Sequence, residues 1–258
     1  MIMRLFEKKC RYKKRKTFTQ GNNENKKTLH KNLEFTATEQ YKLIRANLDF
    51  TLPEEESCPI IGVTSSMRGE GKSTTAVNLS YVFAEKGSRV LLIDADLRIP
   101  SIAKKLGIES SPGLADLLRG KGAQISEFKS HILSNWFILP SGAIPPNPSE
   151  LLGSSRMENI LSQLKEMFDY IIIDLPPIIV SDAISISNLI SGMIVVIRED
   201  YTEKKELERC FRQLKLSNVN ILGCVMNESK AGSGSYSKYK KYKYYKHYKY
   251  YQSQPEDK

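Results

Sequence analysis

The sequence predicts an α/β domain built on a mostly parallel sheet with helices on both faces. Three observations point there. From Pro59 onward, short Val/Ile-rich runs alternate with helical stretches, the pattern of strands buried on both sides. A Gly-rich loop joins the first run to the first of these helices. Two further runs end in Asp, at the strand ends where open α/β sheets bind ligands.

The elements follow in order. Residues 36–50 place Tyr41, Ile44 and Leu48 on one helical stripe. The expected strands are Ile60–Val63, Val90–Ile93, Trp136–Leu139, Ile171–Ile173, Met193–Ile197 and Ile221–Val225. Helical patterns occupy residues 72–86, 148–167, 182–190 and 203–216. With 258 residues, one domain with a full core is expected, over residues 32–229. Residues 1–31 form a polar, basic arm expected to be disordered. Residues 230–258 begin with a Gly/Ser hinge and continue as Tyr236–Tyr251, nearly all Tyr and Lys, a flexible tail that cannot build a core.

Charge is unevenly placed along the chain. The net charge is +10, of which the first 31 residues carry +9 and residues 230–258 carry +6. The 20 basic and 25 acidic residues between them leave the folded part at −5. Basic arms of this kind meet anionic surfaces or stay solvated. No apolar run reaches the about 18 residues of a membrane span, and no signal peptide is read. Cys10, Cys58, Cys210 and Cys224 have neither paired nor metal-like spacing, as expected of ordinary thiols in a reducing compartment.

The first strand leads into Thr64-Ser-Ser-Met-Arg-Gly-Glu-Gly-Lys-Ser-Thr74. A Gly-rich turn at a helix start offers consecutive N–H groups and the helix dipole to phosphate oxygens. Gly69, Glu70, Gly71, Lys72, Ser73 and Thr74 are therefore the candidate nucleotide-binding residues. Lys72 would reach the β- and γ-phosphates, and the Ser73 hydroxyl would bind Mg²⁺. Ser66 stands where the usual pattern has its first Gly, so Gly69 and Gly71 supply the flexibility. Asp94 and Asp96 follow the second strand and Asp174 ends the fourth, in Asp174-Leu-Pro-Pro177. Mg²⁺ takes one or two carboxylates beside phosphates and waters, which suits these strand ends. The fold class is thus P-loop NTPase-like, and the expected cofactors are ATP and Mg²⁺.

These motifs together resemble the bacterial tyrosine kinases, which are similar to partition-type ATPases in fold. The resemblance rests on Gly69–Ser73, on Asp94-Ala-Asp96-Leu-Arg98 after an apolar run, and on Asp174–Pro177. It extends to the stretches 139–152 and 222–227, and covers residues 36–251. It implies an ATP-dependent protein-tyrosine autokinase with Lys72, Asp94 and Asp96 as catalytic residues. Asp94, Asp96, Asp174 and Ser73 would organise the metal, and Asn227 would contact adenine. The phosphoacceptors would be Tyr236, Tyr239, Tyr242, Tyr244, Tyr245, Tyr248, Tyr250 and Tyr251. Arg98 would neutralise phosphate charge or form a structural ion pair. Glu39, Lys42 and Arg45 resemble a helix motif that joins subunits into a ring, with Lys42 where the family has Arg, a change that loses a bidentate fork. The resemblance further implies a separate membrane-anchored activator protein, a cytoplasmic location at the inner face of the plasma membrane through that activator, and a role in capsule or exopolysaccharide synthesis.

Two other readings compete. A partition or septum-positioning ATPase switch would share the fold, but that class has a Lys where Met67 stands, four residues before Gly71. The tail alone, with aromatic rings interleaved with Lys, would suit single-stranded nucleic acid. A phosphate-transfer site on the same chain, with a hinge to reach it, favours the tail as acceptor, so no nucleic acid partner is expected.

Overall fold

The computed structural model describes residues 35–229 except Glu54, Lys121, Ala123 and Gln124. The basic arm and the eight tyrosines expected to be phosphoacceptors lie outside the described residues. Six strands, β1 (Ile60–Ser65), β2 (Val90–Asp94), β3 (Trp136–Leu139), β4 (Tyr170–Asp174), β5 (Gly192–Arg198) and β6 (Ile221–Asn227), form one sheet in the order β3-β2-β4-β1-β5-β6. Every neighbouring pair is parallel, so the sheet is wholly rather than mostly parallel. All six C-terminal ends therefore open on one edge of the molecule.

The pleat explains the continuous apolar runs. Ile60, Leu91, Ile93, Ile171, Ile173 and Val195 enter one hydrophobic cluster, whereas Ile61, Val63, Leu92, Ile172, Ile194 and Val196 enter the other. Helices α1 (Phe35–Thr51) and α2 (Lys72–Glu85) cover the second face, with Leu48, Val77, Leu79, Val82 and Phe83 in its core. The buried Trp136 indole donates to Ser80 Oγ at 3.0 Å, which satisfies its one polar atom. The short helices α3 (Ile102–Leu106) and α4 (Leu114–Leu118) follow β2. The expected helix over 148–167 is two helices, α5 (Pro148–Leu152) and α6 (Ser155–Lys165). Gly153 ends the first, and Ser154 caps the second by accepting from Met157 N at 3.3 Å. The stretch 182–190 is a single turn, α7 (Asp182–Ser185), followed by a 3-10 turn, and α8 (Lys204–Leu216) precedes β6.

Candidate functional site

β1 delivers the chain at the C-terminal edge of the sheet into a loop that opens α2 at Lys72. Gly71 holds the turn at φ 98°, a left-handed conformation open chiefly to glycine. The loop is braced from three sides. Glu70 is fully buried and turns its carboxylate into the loop, accepting from Ser66 Oγ and from Met67 N, both at 2.8 Å. Thr202, just beyond β5, also donates to Glu70. Arg198 donates to Gly69 O at 3.2 Å, and the Tyr201 hydroxyl donates to Arg68 O at 2.9 Å. From the end of β6, the Asn227 amide donates to Glu70 O at 2.9 Å. Glu70 thus serves the loop by shaping it; toward a phosphate it has only its backbone N–H to offer. The brace of Thr202, Arg198 and Tyr201 was not read from the sequence, since more than 120 residues separate it from the loop.

The acidic residues gather where the strand ends predicted. Asp94 and Asp174 are register partners at the ends of β2 and β4, and both are fully buried. Lys72 Nζ lies 2.8 Å from Asp96 and 3.3 Å from Asp174, and 3.3 Å from Ser73 Oγ. Asp94 Oδ2 accepts from the backbone N–H groups of Ser101 and Ile102 at 3.1 and 3.0 Å, and Asp96 Oδ1 accepts from Ile99 N at 3.0 Å. Asp94 Oδ1 and Asp174 Oδ2 are buried with no hydrogen-bond partner among the described residues.

Electrostatics follow from this crowding. Burial, helped by the Asp174 charge, pushes the Asp94 carboxyl up to about 7. Burial also raises Asp174, against the pull of Lys72 and a hydrogen bond from Ser73. Burial alone would lower Lys72, but the carboxylates of Asp174 and Asp96 outweigh it and hold the ammonium more firmly protonated. One fixed cation beside two orphaned carboxylate oxygens and a Gly-rich cradle fits a nucleotide phosphate with a hard cation. Among the described residues, no cluster of three or more His, Cys, Asp or Glu is placed to hold a metal by itself.

The remaining predicted residues divide. Arg98 forms the structural ion pair: its Nε and Nη2 reach Asp182 at 2.6 and 3.0 Å, and Ser149 Oγ donates to the same carboxylate. Burial opposes the Asp182 charge, but these donors hold its carboxyl below the usual range. On α1, Lys42 pairs with Glu39 at 3.1 Å on the surface, whereas Arg45 turns inward and donates to Val82 O of α2 at 3.0 Å. Cys58 and Cys210 are buried, with thiols pushed up to about 12 by desolvation, so neither is poised to react. Among the described residues, no helix is long and apolar enough to cross a membrane.

Comparison with known proteins agrees with this geometry. The family model described as ParA, an iron-transfer P-loop NTPase of NUBPL type, matches residues 58–252. Tyrosine-protein kinase YwqD of Bacillus subtilis is 37% identical over 77% of this chain and 84% of its own length. Tyrosine-protein kinase CpsD of Streptococcus pneumoniae is 34% identical over 80% of this chain and 91% of its own. Among solved structures, the kinase domain of the Escherichia coli tyrosine kinase ETK superposes with a TM-score of 0.70 at 31% identity, covering 78% of this chain and 79% of that one. The septum site-determining protein MinD of Pyrococcus horikoshii, complexed with Mg-ADP, gives 0.57 at 26% identity over 68% of this chain and 72% of its own.

Proposed function

Because the chain belongs to the bacterial tyrosine kinases built on the ParA-type P-loop fold, we propose that it transfers the γ-phosphoryl group of Mg²⁺-ATP to the tyrosines of its own tail, Tyr236–Tyr251, on a neighbouring copy. The observation that carries the proposal is Lys72, fixed between Asp96 and Asp174 in a site open at the C-terminal edge of the sheet. β6 ends at that same edge, so Asn227, from which the chain continues toward the tail sequence, lies on the side of the chemistry.

In the transfer, a tyrosine Oη bonds to the γ-phosphorus, the bond from phosphorus to the bridging oxygen breaks, and ADP departs. The phenol has a pKa near 10, so a neighbouring carboxylate assists its deprotonation only partly. Positioning and charge neutralisation supply most of the rate, as in phosphoryl transfer generally. Lys72 contributes fixed positive charge, Ser73 and the strand-end carboxylates would hold Mg²⁺, and Asn227, which braces the loop through Glu70 O, would contact adenine. Bound Mg²⁺ supplies further charge neutralisation at the phosphates.

Each phosphotyrosine adds about −2 at neutral pH. Eight would carry the +6 tail to about −10 and turn its attraction to the −5 folded part into repulsion. Phosphorylation would thereby release docked tails and loosen a ring of copies joined through α1. We further propose a role in capsule or exopolysaccharide synthesis, with recruitment to the inner membrane face by a membrane-anchored activator.

The test of transfer between copies mixes two full-length forms. One is Lys72→Met, which can only accept. The other keeps Lys72 but has all eight tail tyrosines replaced by Phe. Phosphotyrosine on the Lys72→Met chain is expected. Its absence, when the wild-type protein labels itself, would place transfer within one chain.

A further inference from the structure

Three loops stand side by side at the C-terminal edge of the sheet, because β3, β2 and β4 are consecutive neighbours and β1 lies next to β4. They span residues 95–101, 140–147 and 175–181, and each presents an exposed isoleucine. Ile99 is 46% exposed, Ile144 63% and Ile179 53%. A single exposed isoleucine needs no explanation, but three on neighbouring loops at the edge that carries the site offer apolar area that a partner can cover.

The loops are held rigidly. Arg98, next to Ile99, is locked on Asp182. Ser149, just after the second loop, donates to that carboxylate and lies 3.2 Å from Ser181 Oγ in the third. One buried carboxylate therefore ties all three supports together. The platform also adjoins the phosphate site. Ile99 N donates to Asp96 Oδ1, and the other oxygen of that carboxylate meets Lys72. Ile178 N donates to Ser65 O at 2.9 Å, which sets Ile179 one residue from the contact with the end of β1.

We propose that Ile99, Ile144 and Ile179 form an acceptor platform that grips the ring of a tail tyrosine from a second copy and so makes the site selective for tyrosine over serine or threonine. This rests on the tail being the acceptor. A phenol carries its hydroxyl at the far end of an apolar ring, whereas serine carries it directly on Cβ. A ring held against an apolar rim presents its hydroxyl to a site set below that rim; a serine held at the same height falls short. The tail fits this occupant in three respects. It supplies a tyrosine every one to three residues between Tyr236 and Tyr251, its charge of +6 is opposite to the −5 of the folded part, and 31 residues follow Asn227 from the edge where the platform lies. The nine residues from Asn227 to Tyr236 alone can span up to about 30 Å.

The test uses the full-length protein with the double change Ile99→Ser and Ile179→Ser, and the wild type. The acceptor is a synthetic peptide of residues 236–251, with a second peptide carrying serine at every tyrosine. The expected result is a KM for the tyrosine peptide raised about ten-fold, from the lost apolar contact, with ATP affinity unchanged. Ile99→Leu with Ile179→Leu should restore the wild-type KM, and wild type should leave the serine peptide unmodified. An unchanged peptide KM in the serine variant overturns the platform. So does a parallel fall in ATP affinity, which would assign the isoleucines to the nucleotide. If wild type fails to modify the tyrosine peptide at all, the reading of the tail as acceptor falls, and the platform with it.

Discussion

Lys72→Met is expected to abolish phosphotyrosine while leaving a folded protein. Lys72 is the cation at the centre of the site, 2.8 Å from Asp96 and 3.3 Å from Asp174. Losing one fixed charge aimed at a transition state costs about 10²–10³ in rate, by comparison with single oxyanion-hole donors. The fold faces a separate cost, because removing one partner of a buried ion pair leaves carboxylates uncompensated. The site can relieve that cost by binding protons. Asp94 already sits near 7 and Asp174 is raised by its burial, so both accept a proton readily once Lys72 is gone. A phosphotyrosine blot beside a thermal melt checks both halves. Undiminished phosphotyrosine in a folded Lys72→Met protein would remove Lys72 from the chemistry.

Gly71→Ala should cost at least about ten-fold in nucleotide affinity. Two independent effects act on this residue. Its φ of +98° lies in the left-handed region, where a non-glycine residue costs roughly 1–2 kcal/mol. An added Cβ would also stand 2.0 Å from Asn227 Nδ2, so the amide that braces Glu70 O must move. Affinity falls because relieving either one shifts the loop N–H groups away from the phosphate, and a misplacement worth about 1.4 kcal/mol of binding makes a factor of ten. Gly87→Ala is the matched control. Its φ of +111° is equally left-handed, but nothing lies within 4 Å of the added Cβ, and it sits just past the far end of α2. It should lose stability and keep its nucleotide. Titration with a fluorescent nucleotide separates the two, and wild-type affinity in Gly71→Ala would show that the brace does not shape the site.

Much of the molecule was legible in the sequence because its strands are buried on both faces. Continuous Val/Ile runs marked all six to within two residues at either end, and the acidic strand ends fixed which edge carries the site. The phosphate loop was legible for the same reason: its spacing is local, and glycine is what its backbone requires. The five-residue helices α3 and α4 escaped because one turn shows no periodicity to read. The apolar periodicity over 148–167 runs through the break between α5 and α6, which only Gly153-Ser154 marks. Contacts between distant residues were beyond any spacing rule. Arg98 finds Asp182 84 positions away, Glu70 finds Thr202 132 away, and Arg45 finds a carbonyl of α2 37 away. Arg98 could be read equally as a phosphate ligand or an ion pair, and only the partner decided it. Glu70 stood in a nucleotide-binding motif, and its inward turn became visible only with Ser66, Met67 and Thr202 around it.

The most direct measurement is phosphosite mapping of the full-length protein after incubation with ATP and Mg²⁺, against a sample held without nucleotide. Phosphate confined to the cluster Tyr236–Tyr251, dependent on Mg²⁺ and absent from Lys72→Met, is the expected result. Adjacent pairs such as Tyr244-Tyr245 and Tyr250-Tyr251 should seldom carry two phosphates, since neighbouring dianions repel. ATP turned over with no phosphotyrosine anywhere on the chain would contradict the account and favour an ATPase switch on the same fold.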